Sequence, residues 1–235
     1  TLPPEDASAF EFLNEIIQYE PSELFSKELL GKLATLGIEK GKPFNPDTRM
    51  KSIFDQAAKQ GVAMSRAVLY ASREPEINYW PERHWEKMFV RNTEFEINNR
   101  NDVDARTLWH YQAICVSPNL ISTTVGVGTA YLTCFRDENG LYLLGDKNYK
   151  LTVPANPPVK RFWAVTAYDP LSRSLLDSEG PITVSSTREH VKNADGTVDI
   201  FFGPEPPKDP KLKSNWIKTD PTKGFFVVFR FYGPL

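Results

Sequence analysis

Cysteine and histidine are scarce in this 235-residue chain, with two of the first and three of the second. Cys115 and Cys134 can form at most one disulfide, and two buried free thiols are the simpler reading. His84, His110 and His190 stand far apart, without an H-x-x-x-H or C-x-x-C companion. Zinc needs roughly three or four converging ligands, so neither a metal site nor a cofactor is expected. Asp137, Asn139, Asp195 and Asp199 sit in or beside turns, but their spacing is not that of an EF-hand loop. A basic excess is also missing. The formal net charge is -2, which leaves no surplus cation to neutralise phosphates and argues against nucleic acid as a partner. No apolar run approaches the roughly 20 residues of a membrane span. No G-x-S-x-G elbow occurs, and the glycines of Val125-Gly126-Val127-Gly128 do not open a helix, so dinucleotide and P-loop readings fail on context.

What is present is ordinary in amount and informative in arrangement. Hydrophobic residues make up 40% and charged residues 25%, as in soluble globular proteins. The length suits one large domain or two small ones. Nineteen prolines and fifteen phenylalanines fit many turns around an aromatic core.

The first third reads as helical. Phe10, Leu13, Ile16 and Ile17 share one stripe, and Pro21 ends it. Leu24, Phe25, Leu29, Leu30 and Leu33 mark a second helix, closed by Gly37. Asp47 caps a third that runs to about Ser72, with Met50, Ile53, Phe54, Ala57, Ala58, Val62 and Val68 as its inner face and Gly61 as a point of division. Residues 73–101 are irregular but hold Tyr79, Trp80, Trp85, Phe89 and Phe95, too aromatic for a free linker. Asp102 to Ile114 reads as a further helix with Val103, Leu108 and Tyr111 facing inward, and Pro118 stops it.

From Leu120 the period changes to that of strands. Candidates are 120–125, 129–135, 148–153, 161–168, 174–177, 181–185, 197–202 and 224–232. Asp137-Glu138-Asn139-Gly140 and Asn193-Ala194-Asp195-Gly196 supply turns between them. Strands of this kind must bury a hydrophobic face against a second layer. The chain is therefore read as α+β: a helical extension and connecting region over 1–118, then an antiparallel β-sandwich over 119–235.

The run Phe162 to Asp169, the turn at Asn193–Gly196, the pair Asn215-Trp216 and the closing Arg230-Phe231-Tyr232-Gly233-Pro234 resemble domain-of-unknown-function family 1214. The stretches LATLGIEKGKPFNPD and DVDARTLWHYQAI are similar to the connecting region of its longer members, where family 1254 comes first. The resemblance implies a sandwich of jelly-roll-like form, and a preceding partner domain or second polypeptide. It implies no established chemistry. The chain opens Thr1-Leu2-Pro3-Pro4, not with Met, and shows no signal-peptide pattern; with the preceding domain absent, it is expected to be a processed or proteolysed fragment. A periplasmic or secreted location would follow if an export signal was removed with the rest.

Candidate ligand-binding residues are Asp104, Arg106, Tyr131, Trp163, Tyr168, Asp169, Arg230 and Tyr232. Arg106 shares a helix face with His110, four residues on. Arg230 interrupts the apolar strand VVFRFYG, where alternation sets Phe229 and Phe231 on one face and Val228, Arg230 and Tyr232 on the other. A charge there points to solvent, forms an ion pair with Asp169 or Asp104, or ends a ligand pocket, since Arg matches a carboxylate or phosphate with two parallel hydrogen bonds. Asp169 before Pro170 opens a turn, or stands at a pocket mouth beside Tyr131 and Trp163. Trp216 would lie over the core with its N–H satisfied at the surface.

Two functions fit. One is a module that binds a small molecule or envelope component, or assembles with the partner domain. The other is a hydrolase-type enzyme using Asp104 or Asp169, which requires two such groups to reach one substrate. The aromatics of 79–95 would also serve a subunit interface, including that of a homo-oligomer.

Overall fold

Three helices form in the first third as expected, except that the second starts later: Leu24 lies exposed in a short 3-10 turn, Ser22–Leu24, ahead of it. A computed structural model describes residues 4–91, 94–113 and 125–235, and the chain divides into two units, Thr1–Ala71 and Ser72–Leu235. In the first unit, helix α1 spans Ser8–Tyr19, α2 Lys27–Thr35 and α3 Thr48–Tyr70. The Ser26 hydroxyl accepts from the Leu29 N–H at 3.1 Å, and the Asp47 carboxylate from the Met50 N–H at 2.7 Å. Each thereby satisfies one of the donors that a helix start leaves free. Gly37 adopts φ +80° just past α2, a conformation glycine takes without strain. Ile17, Leu33 and Ile38 form a small core with Phe10, Leu13, Phe25, Leu30 and Phe44 against it, and Phe10 stacks on Phe54 at 4.1 Å.

Two expectations for α3 need correction. Gly61 does not divide it: a glycine costs a helix interior only about 1 kcal/mol, less than the rest of a 23-residue helix supplies. Its buried face is also narrower than the sequence stripe, with Phe54 and Leu69 buried and Ile53 exposed.

In the second unit, helix α4 spans Val103–Ala113. Asp102 caps it, accepting from the Ala105 N–H at 3.0 Å while also meeting the Arg91 guanidinium at 3.0 Å. Ala105, Leu108, Trp109 and Gln112 form its buried side, whereas Val103, read as inward, is exposed. Val103 is the first residue of the helix, before its neighbours have turned toward the core. Cys115, the predicted stop at Pro118 and nearly all of the predicted strand 120–125 lie outside the described residues.

Strands β1 (Trp85–Lys87), β4 (Thr129–Cys134), β6 (Val159–Tyr168), β7 (Thr183–Ser185) and β10 (Phe226–Pro234) form a sheet in the order β1-β4-β10-β6-β7, every pair antiparallel. Strands β5 (Tyr149–Val153), β8 (Val198–Gly203) and β9 (Trp216–Lys218) form a second sheet in that order. A short ribbon joins β2 (Glu96–Ile97) to β3 (Arg100–Asn101). The β8–β9 pair is parallel, the one exception among the described strands. The segment predicted at 174–177 contributes only the Leu175 bridge to Tyr168. Both predicted turns form: Gly140 and Gly196 take φ +77° and +83°, and their N–H groups bond back to the Asp137 and Asn193 carbonyls.

The two sheets share one apolar core. Leu132, Trp163, Val165, Ala167, Val184, Val227, Phe229 and Phe231 project from the larger sheet, and Val153, Val198, Ile200, Phe202 and Ile217 from the smaller. This confirms the α+β class and the mostly antiparallel sheet region. One edge of the sandwich is tied where the Lys218 N–H bonds to the Pro181 carbonyl at 2.8 Å. Asn215 is fully buried just ahead of β9; its amide donates to the Val191 and Asp199 carbonyls and its oxygen accepts from the Val191 N–H. Trp216 is buried, and its indole N–H donates to the Gly203 carbonyl at 3.0 Å inside the domain, not at the surface.

Candidate functional site

Alternation along the larger sheet sorts its side chains into two faces. On β10, Val227, Phe229 and Phe231 enter the core, while Val228, Arg230 and Tyr232 take the outer face. Arg230 lies opposite Tyr131 of β4 and Ala164 of β6. Its guanidinium runs along the sheet to donate to the Tyr168 hydroxyl, and sits 5.3 Å from the Tyr168 ring centre and 5.9 Å from that of Tyr131. Burial raises the Tyr131 phenol above its ordinary pKa, while a Thr129 hydrogen bond and the Arg230 charge oppose that rise. Farther along this face, Tyr232 stacks on Phe162 at 3.9 Å.

The structure thus brings Tyr131, Tyr168 and Arg230 together, with Tyr232 on the same face. It places the other candidates elsewhere. Trp163 is in the core on the opposite face, against Phe229 and His190. Asp169 accepts from the Leu171 and Ser172 N–H groups, both at 2.8 Å, and from the Ser172 hydroxyl. Burial would raise its carboxyl, but those bonds and the Lys223 ammonium 3.9 Å away hold it below the ordinary carboxylate range. Asp104 is exposed, 4.0 Å from Arg73. Arg106 lies 5.9 Å over the Phe95 ring. Neither Asp169 nor Asp104 pairs with Arg230; the Tyr168 hydroxyl takes that place because it shares the strand face and Asp169 turns away with the loop.

Beside this face, the first half of β4 pairs on one side only among the described residues. Residues 129–131 pair with β10, but β1 meets only 132–134, and the chain leaves β1 at Met88. A cavity of about 450 Å³ opens beside that half of β4. Its floor comes from the inner face, with Leu132, Phe229 and Phe231; Tyr131 contributes from the outer face. Met88, Phe89, Pro154 and Pro158 form its walls. Tyr79 and Trp80 stand at its rim, both exposed and 4.6 Å apart edge to face.

Among the described lining residues, Lys87 carries the one charged side chain. Trp85 and Lys87 of β1 lie opposite Cys134 and Leu132 of β4, so both take the inner side of the sheet, and Glu86 opposite Thr133 takes the outer. Burial pushes the Glu86 carboxyl up to about 7, against the pull of Arg136. Burial likewise pushes the Cys134 thiol up to about 12; it is free and donates to the Arg136 carbonyl at 3.0 Å. Among the described residues no group of three or more His, Cys, Asp or Glu could hold a metal ion, and no helix is long and apolar enough to cross a membrane.

Sequence reasoning found the Arg230 face through the charge in an apolar strand. It missed Lys87 and Glu86, although W-E-K carries the alternation that assigns them to opposite faces. The absent signal was the strand itself, three residues set among prolines and charges.

Residues 128–235 match a family model described as Protein of unknown function (DUF1214). Among solved structures, the VPA0106 protein from Vibrio parahaemolyticus is similar at 17% identity and a TM-score of 0.49, over 97% of this chain and 51% of that one. An uncharacterized protein from Burkholderia cenocepacia is similar at 17% identity and a TM-score of 0.43, over 83% of this chain and 43% of that one. The chain spans about half the length of these solved proteins. No curated protein matches it.

Proposed function

We propose that this protein is a binding module for a small, largely apolar molecule, held in the cavity beside the first half of β4. The carrying observation is that cavity: about 450 Å³, walled by aromatic, aliphatic and proline side chains, with few polar groups. Ligand sites of roughly 300–1,000 Å³ with apolar walls and a few placed polar groups are the common form of small-molecule recognition. The exposed pair Tyr79 and Trp80 supports the reading, because two large rings at a rim can close over an apolar guest. Binding is favoured over hydrolysis by the places of the carboxylates. Asp104 lies on the surface and Asp169 is engaged in its turn, and neither lines the cavity. The likeness of the connecting stretches to two-domain proteins supports a preceding domain as co-worker.

The test fills the cavity from within. Ala130 lines it, on the strand pair opposite Phe231. Titration of the protein with 1-decanol should give saturable heat or a saturable change in Trp fluorescence. Ala130→Trp should abolish it while leaving the thermal unfolding transition in place. Absence of saturable binding in the unaltered protein, or unchanged binding in Ala130→Trp, overturns the reading.

A further inference from the structure

We infer that the ligand is an apolar monocarboxylate, and that Lys87 is the group that recognises its charged end. The inference rests on the cavity reading and adds the class of guest. Lys87 is half-buried on the inner side of β1, in register with buried Leu132, while residues 77–79 bond to the other side of that strand. That side is otherwise an aromatic and aliphatic core, with Trp85 next to it on β1 packed against Phe229. Proteins pair an ammonium beside such a surface or keep it solvated. Among the described residues Lys87 has neither an ion pair nor a side-chain hydrogen bond; its main-chain N–H donates to the Ile77 carbonyl at 2.7 Å. The neighbouring carboxylate, Glu86, points to the other face and meets Arg136 instead.

The cavity therefore offers one unpaired ammonium and an apolar wall, with no acidic side chain among its described lining residues. A neutral apolar guest would fill the volume and leave the ammonium unpaired. A guest with two or more charges would bury charge that nothing compensates. An apolar tail ending in one carboxylate meets both conditions, with the tail against Phe229 and Phe231 and the carboxylate at Lys87 Nζ. A lysine can also lay its methylene stem on an apolar surface and keep its ammonium in water. That role requires no preference for an acid, so ligand selectivity separates the two.

The experiment compares decanoate with 1-decanol at pH 7.5, by calorimetry, on the unaltered protein and on Lys87→Met and Lys87→Arg. Decanoate should bind about tenfold more tightly than decanol, Lys87→Met should erase that preference while keeping decanol binding, and Lys87→Arg should retain it. Retained decanol binding also shows that the Met variant is folded around an intact cavity. Equal affinity for acid and alcohol in the unaltered protein overturns the assignment and leaves the cavity reading standing. A preference that survives in Lys87→Met overturns it too, and moves the carboxylate to another cation such as Arg230. Failure of both compounds to bind overturns the assignment together with the cavity reading.

Discussion

The two faces of the larger sheet are built from the same strands and do different work. Inward, Leu132, Trp163, Val165, Ala167, Val227, Phe229 and Phe231 meet the second sheet in an unbroken apolar layer. Outward, the same strands carry Glu86, Thr133, Thr166, Ser185, Tyr131, Tyr168 and Arg230. An outward polar set normally means a solvated face. Here Thr133, Thr166, Ser185 and Glu86 are nearly as buried as the core itself. The three hydroxyls are satisfied locally: Thr183 donates to Thr166 at 3.1 Å, Ser185 to the Trp163 carbonyl at 3.0 Å, and Thr133 to the Glu86 carbonyl at 3.3 Å. Apolar area holds the inner face, while the outer combines buried Phe226, Val228 and Ala164 with hydrogen-bonded polar groups, so mutations should fail in different ways. The cavity sits where the two faces meet beside the first half of β4.

Removing inner-face bulk is the largest way to break this comparison. Trp163 is 5% exposed and touches Phe229 and His190 edge to face. Trp163→Ala should cost about 3–5 kcal/mol, the lost transfer energy plus the void left behind. Urea unfolding should show the midpoint drop at nearly unchanged slope. A loss below 1 kcal/mol would mean that the inner face is not a tightly packed core.

How much of this was legible in the sequence also differs between the faces. The inner face was readable because alternation in RFWAVTAY and FFVVFRFY fixes a register once one residue is placed. Caps at Asp47 and turns ending in Gly140 and Gly196 were equally plain, since each rests on local chemistry. Trp163 shows the limit: it was a ligand candidate by type, and only tertiary packing assigns it to the core. Arg230 was correctly set on the outer face, but its partner was sought among acids, because sequence cannot show that Tyr168 lies within its reach four residues along the neighbouring strand. β1, β9 and the cavity were illegible for one reason: strands of three residues carry too little pattern, and their pairing is decided by distant segments.

The second prediction concerns pH and separates the faces by charge. Glu86 is 8% exposed, and burial pushes its carboxyl from 4.5 up to about 7. The folded state then binds a proton more tightly than the unfolded chain does. Its stabilising effect is complete below about pH 4.5 and is lost as pH rises through about 7. The loss is on the order of 3 kcal/mol at most, since each tenfold change in proton affinity is worth roughly 1.4 kcal/mol. Glu86→Gln, which keeps the shape without the charge, should flatten stability over that window and leave the variant more stable than the parent at pH 8. Parallel stability curves for the two proteins across the window would remove Glu86 from the buried outer set.

The smallest effect tests whether Arg230 needs its tyrosine. Tyr168 packs flat against Phe226 at 5.3 Å and accepts from Arg230 through its hydroxyl. Tyr168→Phe keeps the ring, the stack and the face over which the guanidinium sits, and removes one acceptor. A hydrogen bond from a charged donor is worth about 1.5–3 kcal/mol when it is buried. Arg230 is only half-buried, so water can replace part of the loss, and about 1 kcal/mol is expected. Arg230→Met removes the donor instead and leaves the phenol to water. In a double-mutant cycle the two losses should overlap by most of the single Tyr168→Phe effect, since both delete one contact. Strict additivity would show that Arg230 and Tyr168 act separately, and that the outer face is a set of isolated polar residues instead of a connected one.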